Sequence, residues 1–377
     1  NESTKLAQYI LLGKGGAKLL DMMNFEREVY HLNEAHGLPA AFYLLKKFEG
    51  DLDKVKEKLV FTTHTPEEAG NEKHNITMCH DMSYFSGLTI DEVKAIEGVE
   101  DDRFNHSLCA LRMARVANGV SQLHGVVSNQ MWNKYPGICE IKAITNAQEY
   151  KYWADKPLYQ SKDEDDATLF DFRKKHLKKR FFKIVADQTG NLFDSNVFTI
   201  VWARRFAGYK RADLLLHDKD RFERLLNIPK YPVQIIWAGK PYPMDYAAIS
   251  TFNGLVEESK NYKNMAVLTG YELALSKSMK QGSDLWLNNP RVPREASGTS
   301  GMSAAMNGSV NLSTDDGWIP EFAKHGENSF VVPKADYENM SVYDQDNYDL
   351  NKLYEILENE IIPMYYDRPD EWRKVQH

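Results

Sequence analysis

Between residues 196 and 313 five short apolar runs, NVFTIVWARR, PVQIIWAGK, MAVLTGYE, SDLWLNNP and SVNLS, alternate with helix-compatible stretches. No other feature constrains the chain as strongly. Strands alternating with helices imply an α/β fold, a parallel sheet with helices on both faces. Such sheets bind ligands at the carboxyl ends of their strands. The polar residues just after each run are therefore the candidates for function.

The first part of the chain is less regular. The apolar run at 29–32 precedes NEAHG and the helix-like PAAFYLLKK, and the run at 59–62 precedes THTPEEAGN. SLCALRMARVANGVSQLHG carries Leu108, Leu111, Val116, Val120 and Leu123 at helical spacing. Residues 141–145 read as a strand ending at Asn146, and 70–106 as an irregular excursion. The opening LAQYILLGKGGAKLLDMM reads as a helix interrupted at 13–16. LFDFRKKHLKKRFFKIVADQ reads as an amphipathic helix with Leu169, Phe172, Leu177, Phe181 and Ile184 on one face. Its KKHLKKR run reads as a solvated face in preference to a polyanion patch. LNKLYEILENEIIPMYY reads as a terminal helix stopped by Pro363.

A chain of 377 residues exceeds one ordinary core and points to about two domains. Its 42% hydrophobic content argues against global disorder, and a formal charge of −7 weighs against nucleic acid as a partner. Three widely spaced cysteines, Cys79, Cys109 and Cys139, suit free thiols in a reducing compartment. No signal peptide and no membrane-spanning run is visible, so a cytoplasmic location is expected. The chain opens at Asn1 in mid-pattern, as expected of a fragment, a processed chain or a tagged one.

Two loops have anion-binding chemistry. In VWARRFAGYKRADLLL, Arg204 and Arg205 fall where a strand ends, and Lys210 and Arg211 near the expected start of the next helix. A helix N-terminus favours phosphate, and Arg offers it a planar fork. In PREASGTSGMSAAM, the strand at 283–289 leads through Glu295, Ala296, Ser297 and Gly298 to Thr299, Ser300 and Gly301 at a helix entrance. Glycines admit close backbone approach, and hydroxyls add donors. Glu295 is either an acceptor for sugar hydroxyls or a partner of Arg294. Asn33, Glu34 and His36 follow one strand, His64 another, Asn146 a third; a histidine there can act as acid, base or orienter. His74, Cys79, His80 and His106 fit no standard zinc spacing, and no metal is expected.

Taken together, HLNEAH, TTHTPEEAGNE, VANGVSQLHG, ITN, WARRFAGYKRA, AGKPYP, QGSDLWLNNPRVPREASGTSGM and NGSVNLSTDDGW resemble the α-glucan (glycogen, starch or maltodextrin) phosphorylases, especially their shorter bacterial and archaeal branch, from about residue 8 to about residue 370. The resemblance implies a GT-B type fold, two Rossmann-like parallel-sheet lobes with a cleft between them. The expected division is 1–150, a partial N-terminal lobe; 151–340, the C-terminal lobe with a leading helical segment; and 341–377, a helical tail. It implies retaining transfer of glucose between an α-1,4-glucan and phosphate or a sugar phosphate. By motif, Arg205 and Lys210 match the pair that grips phosphate, with Arg204 beside them. Glu295, Ala296, Ser297 and Gly298 match the segment on the glucose hydroxyls, His64 the histidine beside the glucosyl ring, and Asn146 another sugar contact. Asn33 and Glu34 match a loop lining the cleft. Thr299, Ser300 and Gly301 match the cofactor and phosphate loop.

The resemblance also implies pyridoxal phosphate, held as a Schiff base by a lysine in GTSGMK. Here the block reads GTSGMS, and Ser303 occupies that position. A hydroxyl cannot form an imine, so a cofactor at this position is non-covalent or absent. The family's N-terminal glycine loop has no counterpart before Asn1, and ITNAQ replaces the usual ITNG. Two rival readings follow. One is a pyridoxal-independent transferase of glycogen-synthase type using a nucleotide-glucose donor. The other is a catalytically silent glucan-binding module.

Overall fold

The computed structural model describes all 377 residues, and the chain divides into two compact units, Asn1–Asn146 and Ala147–His377. The first is built on four parallel strands in the order β1-β2-β5-β6: β1 (Tyr30–Asn33), β2 (Leu59–Thr62), β5 (Val116–Gly119) and β6 (Glu140–Ala143). Between β2 and β5 lies a small antiparallel pair, β3 (Lys73–Asn75) with β4 (Arg103–Asn105). The second unit holds six parallel strands: β7 (Phe198–Ala203), β8 (Val233–Ala238), β9 (Met265–Leu268), β10 (Leu285–Asn288), β11 (Val310–Thr314) and β12 (Ser329–Val332). Every residue of β7, β8, β9, β10 and β11 is buried, as expected of parallel strands covered on both faces.

Strand order places the site. The six-stranded sheet runs β12-β11-β10-β7-β8-β9. From β7 the chain moves outward through β8 and β9, then crosses back to lay β10, β11 and β12 on the other side. The order therefore reverses between β7 and β10, and the carboxyl ends of these two neighbours bound the crevice where open α/β sheets bind ligands. Residues Arg204 and Asn288 stand at those ends.

Several sequence expectations are corrected. The stretch around 107–125 is not continuous helix: helix His106–Met113 ends, β5 follows, and helix Gln122–Trp132 starts at Ser121, whose side chain accepts the His124 N–H. Pairing of β5 between β2 and β6 outweighs the helical spacing. Residues 70–106 are ordered, with helices Ile76–Asp81 and Ile90–Glu97 capped by the side chains of Asn75 and Thr89. The glycines at 13–16 do not break the opening helix. They sit in and just after a wider turn, Leu11–Gly15, and a Cβ on Gly13 would lie 2.6 Å from the Gly37 carbonyl oxygen. Pro363 does not stop the terminal helix. It falls in the first turn of Ile362–Asp367, after a second wide turn at Leu357–Ile361, where its missing N–H is tolerated. The strand β12 has no counterpart in the sequence reading.

The long helix Ala167–Thr189 shows the largest error of face. Its buried positions are Phe170, Lys174, Leu177, Lys178, Phe181, Phe182 and Val185, while Phe172 is 71% exposed. Two lysines of the basic run therefore point inward. Lys174 Nζ donates to the Asn307 carbonyl at 2.6 Å, and Lys178 Nζ pairs with Asp284 at 2.5 Å. They fasten the helix rather than solvate it.

Candidate active site

Strand β7 ends by placing Arg204, 5% exposed, at the switch point. Its Nη2 donates to Asn288 Oδ1 at 2.5 Å, and its Nη1 lies 3.4 Å from Glu295 Oε2. Its Nε is buried without a partner. The chain then makes a short 3₁₀ turn, Gly208–Lys210, and Lys210 Nζ reaches Glu295 at 3.1 and 3.4 Å. Thus Glu295 pairs with Arg204 and Lys210. Burial pushes the Glu295 carboxyl up, but the two cations outweigh it and hold it below the usual range. Burial and the charge of Arg204 bring Lys210 down to about 8. Exposed Arg205 contributes to both shifts and faces solvent.

One expectation fails here. Lys210 and Arg211 do not open a helix, since the next α-helix begins at Lys219. Arg211 is 3% exposed, and its guanidinium bonds to Asp346 (2.9 Å), Asp349 (2.7 Å) and the carbonyls of Asn289 and Pro290 (2.8 and 3.0 Å). It is an internal brace for the loop after β10, not an anion ligand.

That brace helps explain the loop's shape. Asp316 accepts the N–H groups of Glu295 (2.9 Å) and Gly317 (2.8 Å), and burial raises its carboxyl to about 7. Trp318 donates its N–H to the Ser297 carbonyl and its indole N–H to the Gly298 carbonyl. Gly298 takes φ +84°, ahead of the helix Thr299–Ala305. At Gly301 a Cβ would lie 2.6 Å from Asn311 Oδ1 and 2.9 Å from Asn288 Nδ2, so only glycine lets these amides close. The result is a chain of bonds from Arg204 through Asn288 and Asn311 to the Gly301 carbonyl. Ala296 and Ser297 are buried, and Ser297 Oγ has no partner. Thr299 and Ser300 are half-buried at the helix entrance.

Ser303 is fully buried, and its hydroxyl donates to the carbonyls of Thr299 and Ser300, each at 3.2 Å. It is turned onto its own helix, as serines within helices commonly are.

In the first unit, Asn33, Glu34 and His64 are brought together at the ends of β1 and β2. The His64 Nε2 lies 2.7 Å from Asn33 Oδ1, and Glu34 accepts the His64 backbone N–H and, at 3.2 Å, the Thr65 hydroxyl. Burial, then neighbouring His31, lowers the His64 pKa, so the ring is neutral at pH 7. Burial raises the Glu34 carboxyl. Asn146 donates its N–H to the Val120 carbonyl, after β6. His36 stacks on Tyr9, 4.9 Å between ring centres. His74 and His106 bond each other at 2.9 Å, and His106 also bonds Tyr84 at 2.8 Å, a hydrogen-bonded core cluster.

Sequence reasoning missed Asn288, Asn311, Asp316 and His124. The signal for the asparagines was a polar residue within an otherwise apolar strand. Asp316 and His124 carried none. Burial brings His124 down to about 4.

The fold and this cluster define the class: a mixed α/β protein with two parallel-sheet units, as in GT-B glycosyltransferases, with paired cations on a carboxylate at a sheet switch point. The carbohydrate phosphorylase family model matches residues 158–362, more than half of the chain. An uncharacterised protein of Methanocaldococcus jannaschii is 43% identical over 376 residues, covering 100% of this chain and 69% of that protein. Maltodextrin phosphorylase of Thermococcus litoralis is 33% identical, covering 98% of this chain and 50% of its own length. Glycogen phosphorylase of Aquifex aeolicus is 31% identical, covering 98% and 61%. The chain belongs to the carbohydrate phosphorylase family, and it spans about half to two thirds of these relatives. No helix is long and apolar enough to cross a membrane.

Proposed function

We propose that this chain serves phosphorylase-type glucosyl transfer, a retaining exchange of glucose between the end of an α-1,4-glucan and phosphate. The observation that carries this reading is the meeting of Arg204 and Lys210 on the buried Glu295 at the β7/β10 switch point. Two cations on one carboxylate leave net positive charge in a low-dielectric crevice, and Arg205 adds a third cation in solvent. A phosphate entering there gains charge-assisted bonds. Lys210, close to neutrality in proton affinity, is the group whose protonation an incoming dianion would reinforce. Glu295 and the 296–298 turn offer acceptors and donors to sugar hydroxyls, and neutral His64 offers a hydrogen bond rather than a charge. Electrostatic stabilisation of this kind needs no carboxylate pair of the hydrolase type.

Phosphorylases use pyridoxal phosphate, which when bound supplies its own phosphate for proton exchange with the substrate phosphate. The residues present fit an anionic group: Arg204 Nε and Ser297 Oγ are buried donors without partners, and Thr299 and Ser300 stand at the helix entrance. They do not supply an amine at position 303.

Ser303 favours a second reading, a transferase using a nucleotide-glucose donor. The deciding measurement is glucose 1-phosphate released from maltodextrin and phosphate, with and without added pyridoxal phosphate. Release supports phosphorolysis. Chain growth only from a nucleotide-glucose moves the assignment to the second reading, and glucan binding without turnover on either donor removes both.

A further inference from the structure

Glu34 holds a backbone conformation that belongs to glycine. Its φ is 58° and its ψ 177°. A residue with a Cβ is strained there, and such strain persists only where the surroundings over-determine it. The surroundings are specific. The Glu34 N–H donates to the Thr62 carbonyl at 2.9 Å, which extends the β1–β2 pairing by one residue. The chain then breaks into the short turn Ala35–Gly37. The Glu34 side chain reaches the segment after β2, where its Oε1 accepts the His64 backbone N–H and, at 3.2 Å, the Thr65 hydroxyl.

Those two residues carry the chain out of the sheet. Thr63 is still tied down, its N–H donating to the Asn118 carbonyl of β5 at 3.0 Å. Beyond it no strand pairing continues, since β2 ends at Thr62, and the Thr65 N–H reaches only the Thr63 hydroxyl at 3.3 Å. The Glu34 carboxylate therefore fixes the main chain beneath the His64 ring. The ring itself bonds Asn33 Oδ1 through Nε2 at 2.7 Å. An amide oxygen only accepts, so neutral His64 carries its proton on Nε2 and keeps Nδ1 as an acceptor. Two consecutive residues thus hold both ends of the histidine, Glu34 the main chain and Asn33 the ring.

We propose that Glu34 is a positioning residue: its strained backbone aims a carboxylate at the 64–65 main chain, and this sets where the His64 ring sits and which ring nitrogen carries the proton. Glycine would fit the backbone without strain but could make neither bond. The effect on turnover rests on the phosphorylase reading, whereas the placement of the ring does not.

The test follows the ring directly. In the full chain, isotope-labelled at the histidine ring nitrogens, nuclear magnetic resonance reports tautomer and pKa, and the signal lost in His64→Gln assigns that residue. The expected unmutated state is an Nε2-protonated ring with a pKa below the usual histidine value. Glu34→Gln keeps an oxygen acceptor and should keep both properties. Glu34→Gly and Glu34→Ala lose the acceptor, so the tautomer preference should fall and the pKa rise towards the usual value, with folding checked by circular dichroism. Glu34→Gly should melt above Glu34→Ala, because it alone releases the strain. With maltodextrin and phosphate, Glu34→Gly should lower kcat by about 10- to 100-fold. Three results overturn the proposal: His64 signals unchanged in Glu34→Gly, signals altered as much in Glu34→Gln, or a Glu34→Gly melting temperature no higher than that of Glu34→Ala. Altered His64 signals in Glu34→Gly, with no phosphorolysis even in the unmutated chain, keep this inference and remove the activity; phosphorolysis with unaltered signals does the reverse.

Discussion

Replacing Glu295 with glutamine keeps the side chain's shape and removes the only negative charge between Arg204 and Lys210. The Glu295 contacts are at 3.4 and 3.1 Å, and all three side chains are at most 14% exposed. At an effective dielectric near 20, each pair is worth roughly 5 kcal/mol in gross Coulomb terms, offset by the cost of burying the carboxylate. Removing one partner of a buried pair typically costs about 3–5 kcal/mol. Lys210 limits the loss. Its pKa is already about 8, so at pH 7 releasing its proton costs about 1.4 kcal/mol, and less once Glu295 is gone. The expected loss is therefore about 3 kcal/mol at pH 7. It should also depend on pH. Above about pH 9 Lys210 is largely neutral in the unmutated protein, and only the attraction to Arg204, which stays charged, remains for the mutation to remove. At pH 6 the lysine is charged, so the mutation costs more, by about 1.4 kcal/mol for each unit by which it lowers the Lys210 pKa. Glu295 stays ionised throughout this window because its own pKa is lowered. Urea unfolding at pH 6, 7 and 9, followed by tryptophan fluorescence, measures both quantities. A loss below about 1 kcal/mol, or one that is the same at pH 6 and 9, would refute the claim that the two cations are held by this carboxylate.

Other substitutions probe the same unit. Asp316→Asn removes the titration but keeps only one of the two oxygens that accept the Glu295 and Gly317 N–H groups, a loss that does not vary with pH; because the Asp316 pKa is raised to about 7, native stability from this group is present at acid pH and lost as pH rises towards 7. Relative to Asp316→Asn, the unmutated protein should lose up to about 4 kcal/mol between pH 4 and 7, measured by urea midpoints. Lys280→Met should stabilise the chain at pH 7 by about 2 kcal/mol, the desolvation cost less the cation–π attraction, and raise the melting temperature; a lower one contradicts the burial argument. Arg211→Met leaves Asp346 and Asp349 facing an apolar side chain and should cost about 3–5 kcal/mol in urea, with Arg211→Lys recovering only part because one ammonium cannot serve four acceptors.

The parallel sheet of the second unit was legible because its strands are buried on both faces and read as unbroken apolar runs. The four-residue β5 was not, because VANG is too short to compete with the helical spacing on either side. Arg204, Lys210 and Glu295 were legible as members of two loops, but not as a triad. Only the adjacency of β7 and β10 brings residues 204 and 295 together. Arg211 was misread because sequence shows a cation next to other cations, whereas its partners lie more than a hundred residues away at 346 and 349. Lys174 and Lys178 were misread for a related reason: a long alkyl stem lets a charged residue join an apolar stripe.

Ranking the buried cations of the second unit by what neutralises them separates scaffold from site. Arg211 faces two carboxylates and two carbonyls. Lys178 has Asp284 and the Val197 carbonyl, and Lys174 the Asn307 carbonyl. Arg211 and Lys178 are neutralised by carboxylates from within the fold, whereas Lys174 has one carbonyl and burial brings it down to about 7. Arg204 and Lys210 share a single carboxylate, and Arg204 keeps an unpartnered Nε. An arriving anion would complete their environment. Lys280 stands at the end of the series, with indole faces and no acceptor at all. Stability alone disfavours a lysine there, because methionine would fill similar space without the desolvation cost.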